Sequence, residues 1–155
     1  MSALRKSGDL PSEATEWIAM RLGDLKEARA IDSLTGLLGT PMWFVTQSSQ
    51  DALIRIGGDQ VAAAAVRLLA GGGPADPRLA ALNVLHGVKG AGALPQIRAA
   101  LADKALRTTA LNLLARVGTA EDLKVLIPMS DFWTGDRDAH YWAMQAVGEI
   151  RARHR

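Results

Sequence analysis

Residues 106–118 read LRTTALNLLARVG, and the spacing of the apolar side chains in this stretch indicates the fold of the chain. Two adjacent apolar residues and a third one three places further on lie on one face of a helix. The same triplet occurs five times, as Ile18-Ala19-Leu22, Ala52-Leu53-Ile56, Val84-Leu85-Val88, Leu113-Leu114-Val117 and Ala146-Val147-Ile150. The first residues of successive triplets are 34, 32, 29 and 33 positions apart. A period near thirty residues with helical spacing predicts an all-α fold of stacked helices.

We call the first residue of each triplet position 0, and the helix that carries the triplet an anchor helix. Position −3 shares the buried face and carries a small residue in every copy: Thr15, Ser49, Ala81, Ala110 and Ala143. A second apolar helix follows each of the first four anchor helices, so each of these repeats is predicted to be a helix pair. Helices are predicted at 12–22, 25–38, 42–56, 59–70, 77–88, 92–102, 105–117, 120–129 and 137–152. No stretch alternates as a strand would.

Glycine and proline residues punctuate these predicted helices. Glycine occupies position +5 at Gly23, Gly57 and Gly118, and a glycine just past a helix end often adopts the left-handed conformation. We therefore predict that three anchor helices stop at these glycines. Residues 71–74, which read GGGP, are predicted to form a long loop, and a hinge between two halves is the alternative.

The composition predicts a single globular domain. The chain has 155 residues, of which 48% are hydrophobic and 22% are charged. We expect a flexible segment at 1–11, one repeat domain at 12–152 and a frayed basic tail at 153–155. The lack of cysteine excludes disulfides and Cys-based zinc sites. Because no stretch resembles a signal peptide or a bilayer-spanning segment, we expect a cytoplasmic protein with no membrane association.

Three segments resemble a known repeat family. They are residues 76–85 (DPRLAALNVL), residues 106–118 and residues 139–150 (AHYWAMQAVGEI). Each of these segments belongs to what is called an anchor helix here, and it resembles the helix that comes second in a HEAT-like repeat. The short period is similar to that of the HEAT-like repeats of phycobilisome lyases. The resemblance covers residues 12–152 and implies a right-handed α-α superhelical solenoid of about five short HEAT-like hairpins. It leaves the function open, because the family includes scaffolds, lyase subunits, hydroxylases and DNA glycosylases.

The family also has arginine at position −6, which Arg78 and Arg107 occupy here. The resemblance implies that these arginines pair with aspartates and with the carbonyl ends of helices in neighbouring repeats. We therefore expect them to support the structure rather than to contact a ligand.

The sequence offers no catalytic or metal-binding set, so we expect a non-enzymatic protein without a cofactor. The three histidines occupy unrelated places, and the His-Glu pairs with which HEAT-like hydroxylases bind iron are missing. No serine lies in a nucleophile elbow, and no glycine-rich phosphate loop follows a strand. The tryptophans, Asp51 and nearby arginines resemble the set used by HEAT-like DNA glycosylases. A net charge of only +2 argues against nucleic acid as the partner.

Helical geometry leaves positions −5, −1 and +2 exposed, with position +3 at the margin of the same face. Position −1 carries Asp, Asn or Gln in four of its five copies, and amides both donate and accept hydrogen bonds. This favours recognition of a polar surface, although ordinary solvated residues would give the same pattern. Trp, Tyr and Arg concentrate binding energy at interfaces. The predicted partner-binding residues are Trp17, Asp51, Arg55, Asn83, Asn112, Arg116, Tyr141 and Gln145.

The expected function is the binding of a partner protein in the concave groove of a monomeric solenoid. An inhibitor or immunity-type protein that blocks an enzyme is a narrower version of this expectation. The alternatives are a subunit of a bilin-lyase-like enzyme, a relative of HEAT-like DNA glycosylases, and a self-associating scaffold. Polar residues at both ends of the repeat array argue against endless stacking.

Overall fold

The computed structural model of the chain describes residues 11–133 and 137–154. Every regular element within these ranges is helical and none is a strand, which confirms the all-α prediction. The expected flexible segment lies outside the described residues except for Pro11. The chain forms two compact units, Met1–Lys89 and Gly90–Arg155. None of the helices described is both long and apolar enough to cross a membrane.

The first unit contains three anchor helices and two second helices. The anchor helices are α1 (Ser12–Asp24), α3 (Trp43–Ile56) and α5 (Ala75–Lys89), and the second helices are α2 (Ile31–Leu37) and α4 (Gly58–Ala70). Helix α1 packs against α3, and α3 packs against α5. The second helices pack against each other and also against anchor helices. Anchor helices therefore contact anchor helices, although a second helix separates them along the chain.

The second unit repeats this arrangement. Its second helices are α6 (Leu94–Ala100) and α8 (Leu123–Met129), and its anchor helices are α7 (Arg107–Val117) and α9 (His140–Arg153). Helix α7 packs against α9, while α6 packs against α7 and α8 against α9. Helices α2, α6 and α8 have only seven residues each, which is shorter than predicted. A 3₁₀ turn precedes each of them and takes up part of the predicted helix.

The small residues at position −3 are buried in all five anchor helices, as predicted. Thr15 is 4% exposed, and the other four residues have no exposed surface. Position +1 is also buried throughout, with residues Ala19, Leu53, Leu85, Leu114 and Val147. Because short side chains occupy little space at a helix–helix contact, the axes of packed anchor helices can approach closely.

Contacts between α1 and α3 show that these anchor helices run in the same direction. The Ser48 hydroxyl donates to the Glu16 carboxylate at 3.5 Å, near the N-terminal half of both helices. At the C-terminal ends, the Arg55 guanidinium donates to the Asp24 carboxylate at 2.5 Å. Because the two contacts follow the same order along both helices, α1 and α3 are parallel. The antiparallel second helix between them supplies the necessary reversal of the chain.

The glycines at position +5 do not all end helices as predicted. Gly23 is buried inside α1, where a β-carbon would lie 2.6 Å from the Ala52 Cα. Gly57 does end α3, and its φ of 65° suits glycine. Gly118 ends α7 in an extended rather than a left-handed conformation, and a β-carbon there would lie 2.8 Å from the Ile150 Cδ1. The prediction of a helix stop is therefore confirmed at Gly57 and Gly118, whereas α1 continues through Gly23 and ends one residue later, at Asp24.

Two further sequence predictions concern loops and helix ends. Residues 71–74 form a loop between α4 and α5 inside the first unit, while the boundary between the units follows Lys89. Arg107 Nε donates to the Leu101 carbonyl at 2.8 Å, so the predicted contact with a helix-terminal carbonyl is confirmed there. Arg153, which the sequence pattern assigned to the tail, is the last residue of α9 and donates to the Gly118 carbonyl at 3.0 Å.

Replacement of Gly23 by alanine should destabilise the first unit. The new methyl group would overlap the backbone of α3, and overpacking of this kind costs about 1–3 kcal/mol. The matched control is Gly36→Ala in α2, because no atom lies within 4 Å of a β-carbon there. That change should stabilise the helix by about 0.5–1 kcal/mol. Urea unfolding followed by circular dichroism measures both, and equal stabilities for the two variants would contradict the close approach of α1 and α3.

Candidate functional site

Four of the predicted partner-binding residues lie on three neighbouring helices of the first unit. Trp17 on α1 is 63% exposed, and Asp51, Arg55 and Asn83 are exposed on α3 and α5. Since α1 packs against α3 and α3 against α5, these four side chains lie on neighbouring helices, and we call them the first surface. The opposite sides of the same helices are buried, so the predicted division between core and exposed face is correct here.

Charges on and next to the first surface are largely offset by one another. Asp24 accepts a hydrogen bond from Arg55 at 2.5 Å and lies 3.5 Å from the Arg21 guanidinium. The amide of Gln47 donates to the Asp51 carboxylate at 3.1 Å. Arg55 is therefore held by α1 rather than projecting freely, while half of its side chain stays exposed.

The other four predicted residues lie on two neighbouring helices of the second unit, α7 and α9. Arg116, Tyr141 and Gln145 are exposed, whereas Asn112 is half-buried. The Tyr141 ring is 55% exposed and meets the Trp142 ring edge-to-face, with centroids 5.3 Å apart. We call these four residues the second surface. The exposed Tyr141 ring contacts the half-buried Trp142 ring. This contact restricts the Tyr141 side chain, so that binding would cost less conformational entropy.

The structure also contains a cleft in the second unit that the sequence pattern did not indicate. Its volume is about 640 Å³. Seven lining residues are apolar and three are charged: Leu101, Ala102, Leu114, Val125, Leu126, Pro128 and Met129, with Arg98, Arg107 and Asp122. We call this the α6–α8 cleft, because these helices and α7 form it. Leu126 and Met129 follow the apolar spacing of a second helix; Leu126 is fully buried, as that spacing predicts, whereas Met129 is only half-buried at the cleft.

An ion pair between the exposed Arg98 and the buried Asp122 occupies the polar end of the α6–α8 cleft. Arg98 Nε donates to Asp122 Oδ1 at 2.6 Å, and Arg98 Nη2 donates to Oδ2 at 3.1 Å. Oδ2 also accepts from the Thr119 backbone N–H at 2.8 Å and from the Thr119 hydroxyl at 3.2 Å. Burial alone would raise the pKa of Asp122, but the hydrogen bonds from Arg98 and Thr119 outweigh it and lower the pKa. The carboxylate is therefore ionised at neutral pH.

Metal binding has no support in the part of the chain that the structure describes, where no three His, Cys, Asp or Glu side chains converge.

Comparison with known protein families, curated proteins and solved structures finds no match for this chain. The HEAT-like resemblance therefore stays a prediction that rests on the quoted segments.

Replacement of Asp122 by asparagine should destabilise the second unit in a pH-dependent way. Loss of the charged hydrogen bonds costs about 1.5–3 kcal/mol at pH 7. Because the pKa of Asp122 is lowered in the folded protein, its stabilising contribution is full above the unfolded pKa, near 3.9, and is lost as the pH falls through the folded value. The difference in the free energy of unfolding between wild type and variant should therefore become smaller below about pH 4.

The matched control for this experiment is Asp59→Asn. Asp59 pairs with Lys89 through a carboxylate that is 92% exposed, so its loss should change stability far less. Urea unfolding at several pH values measures both variants. A stability gap for Asp122→Asn that is as wide at pH 3 as at pH 7 would contradict the assigned ion pair.

Proposed function

We propose that the chain is a non-enzymatic protein-binding module that uses the first and second surfaces to hold a partner protein. One observation carries the proposal: each surface has a large aromatic side chain, Trp17 or Tyr141, that is more than half exposed on the outer side of a well-packed anchor helix. Such rings are costly to leave in water and are enriched among residues that dominate binding energy. A rigid helix also loses little entropy when its partner docks.

Neighbouring polar groups suit a protein partner. Asn83 on the first surface and Gln145 on the second are exposed amides, which can both donate to and accept from a polypeptide backbone. Arg55 and Arg116 add cations that are common at interface centres. The combination of an aromatic ring, an amide and an arginine on each surface supports recognition of a folded protein with a mixed polar and apolar face.

The charge balance favours protein over nucleic acid. Residues 1–89 contain nine Lys or Arg and nine Asp or Glu, which gives a net charge of zero. Both Arg21 and Arg55 lie next to Asp24, so the positive field above the first surface is reduced. Affinity for DNA depends on the number of phosphates that cations neutralise, and this surface has few to offer.

We further propose that the helix pairs within each unit stack as in a right-handed HEAT-like solenoid. The parallel alignment of α1 and α3, and the packing of α7 against α9, support this arrangement. We also propose that the protein acts as a monomer in the cytoplasm. Its lack of cysteine is compatible with that compartment. An inhibitor of an enzyme is a narrower form of the same proposal.

Alanine substitution of Trp17 and of Tyr141 should weaken partner binding. Each change removes a large contact at the centre of a surface and should lower the affinity at least about tenfold. The partner is first recovered from the native host with immobilised wild-type protein and identified by mass spectrometry. Its affinity for each purified variant is then measured by isothermal titration calorimetry.

Trp43→Ala is the matched control, because Trp43 is 78% exposed but lies at the start of α3, outside both surfaces. A protein that binds wild type and Trp43→Ala alike, and binds Trp17→Ala or Tyr141→Ala weakly, would support the proposal. Recovery of no protein, or equal loss in all three variants, would contradict it.

A further inference from the structure

The α6–α8 cleft has the size and lining of a small-molecule site. Its volume of about 640 Å³ falls within the range of about 300–1,000 Å³ that ligand pockets occupy. Leu114 and Leu126 border the cleft but have no exposed surface, while Val125 is 54% exposed and forms part of its accessible wall. An apolar ligand in the cleft would remove Val125 from water, so burial of apolar surface would favour binding.

The polar end of the cleft presents a cation rather than an anion to an incoming ligand. The Arg98 side chain is 40% exposed, whereas that of Asp122 is 8% exposed. The Asp122 oxygens already accept hydrogen bonds from Arg98 and Thr119, which leaves little capacity for a ligand amine. Arg107 also lines the cleft. Arg98 Nε and Nη2 already donate to Asp122 and Thr119, so Arg98 Nη1 is the donor that a ligand carboxylate would meet.

We propose that the α6–α8 cleft binds a small amphipathic carboxylate, with its apolar body against Val125, Pro128 and Met129 and its carboxylate toward the Nη1 group of Arg98. The hydrophobic effect supplies most of the affinity, and the accessible guanidinium selects an anion over a neutral or cationic analogue. The cleft shares no residue with the first or second surface. The proposal is therefore independent of partner binding and can fail or succeed by itself.

The test uses 8-anilinonaphthalene-1-sulfonate, a fluorescent aromatic anion, as the probe on the full chain. We expect saturable binding at one site, displacement by decanoate, and at least about tenfold weaker displacement by decanol. Val125→Asp places a negative charge in the cleft and should weaken probe and decanoate binding at least about tenfold. Ile127→Asp is the matched control, because Ile127 is exposed on the same helix but does not line the cleft.

Circular dichroism and thermal unfolding establish that each variant is folded. If Val125→Asp does not fold, Ala102→Trp serves in its place, because Ala102 is exposed and a tryptophan there would fill the cleft. Absence of saturable probe binding, or equal weakening by Ile127→Asp, would overturn the assignment of the cleft. Displacement by decanol as effective as that by decanoate would overturn the selection for an anion.

Discussion

Close packing of one anchor helix on the next is the constraint on which the rest of the structure depends. Every anchor helix buries a residue no larger than threonine at position −3, and Gly23 lets α1 approach the Ala52 backbone. Helices that pack this closely leave no room for rearrangement, because interiors are near crystal density. The exposed positions on the opposite side are consequently fixed in spacing, and so are the two surfaces that they form.

Charged side chains reinforce this packing at the C-terminal ends of the anchor helices. Arg55 reaches Asp24 at the C-terminal end of α1, and Lys89 reaches Asp59 in the first turn of the second helix α4. Arg153 in the second unit donates to the Gly118 carbonyl that ends α7. Exposed ion pairs contribute little stability individually. The Arg55–Asp24 pair joins two anchor helices, so Arg55, which belongs to the predicted binding set, also makes a structural contact.

Sequence periodicity predicted the anchor helices well, since apolar residues with a 3.6-residue period are needed to bury one face. Helix α3, for example, was expected at 42–56 and is Trp43–Ile56. The role of Gly23 was mistaken because a helix cap and a close helix contact both require a residue without a side chain. The α6–α8 cleft escaped prediction for another reason. The apolar spacing identifies the buried Leu126 but does not show whether a neighbouring helix covers Val125 beside it.

The account predicts that residues at position −1 of successive anchor helices within a unit are spatial neighbours, one interhelical distance of about 8–10 Å apart in the lateral direction. Because the chain has no cysteine, pairs of nitroxide labels can be attached to introduced cysteines without background. The decisive pairs are Trp17 with Asp51, and Asn112 with Gln145. Strong dipolar broadening in the electron paramagnetic resonance spectrum of both pairs is the predicted result. Spectra of either doubly labelled protein that equal the sum of its single-label spectra would contradict the packing of anchor helix on anchor helix.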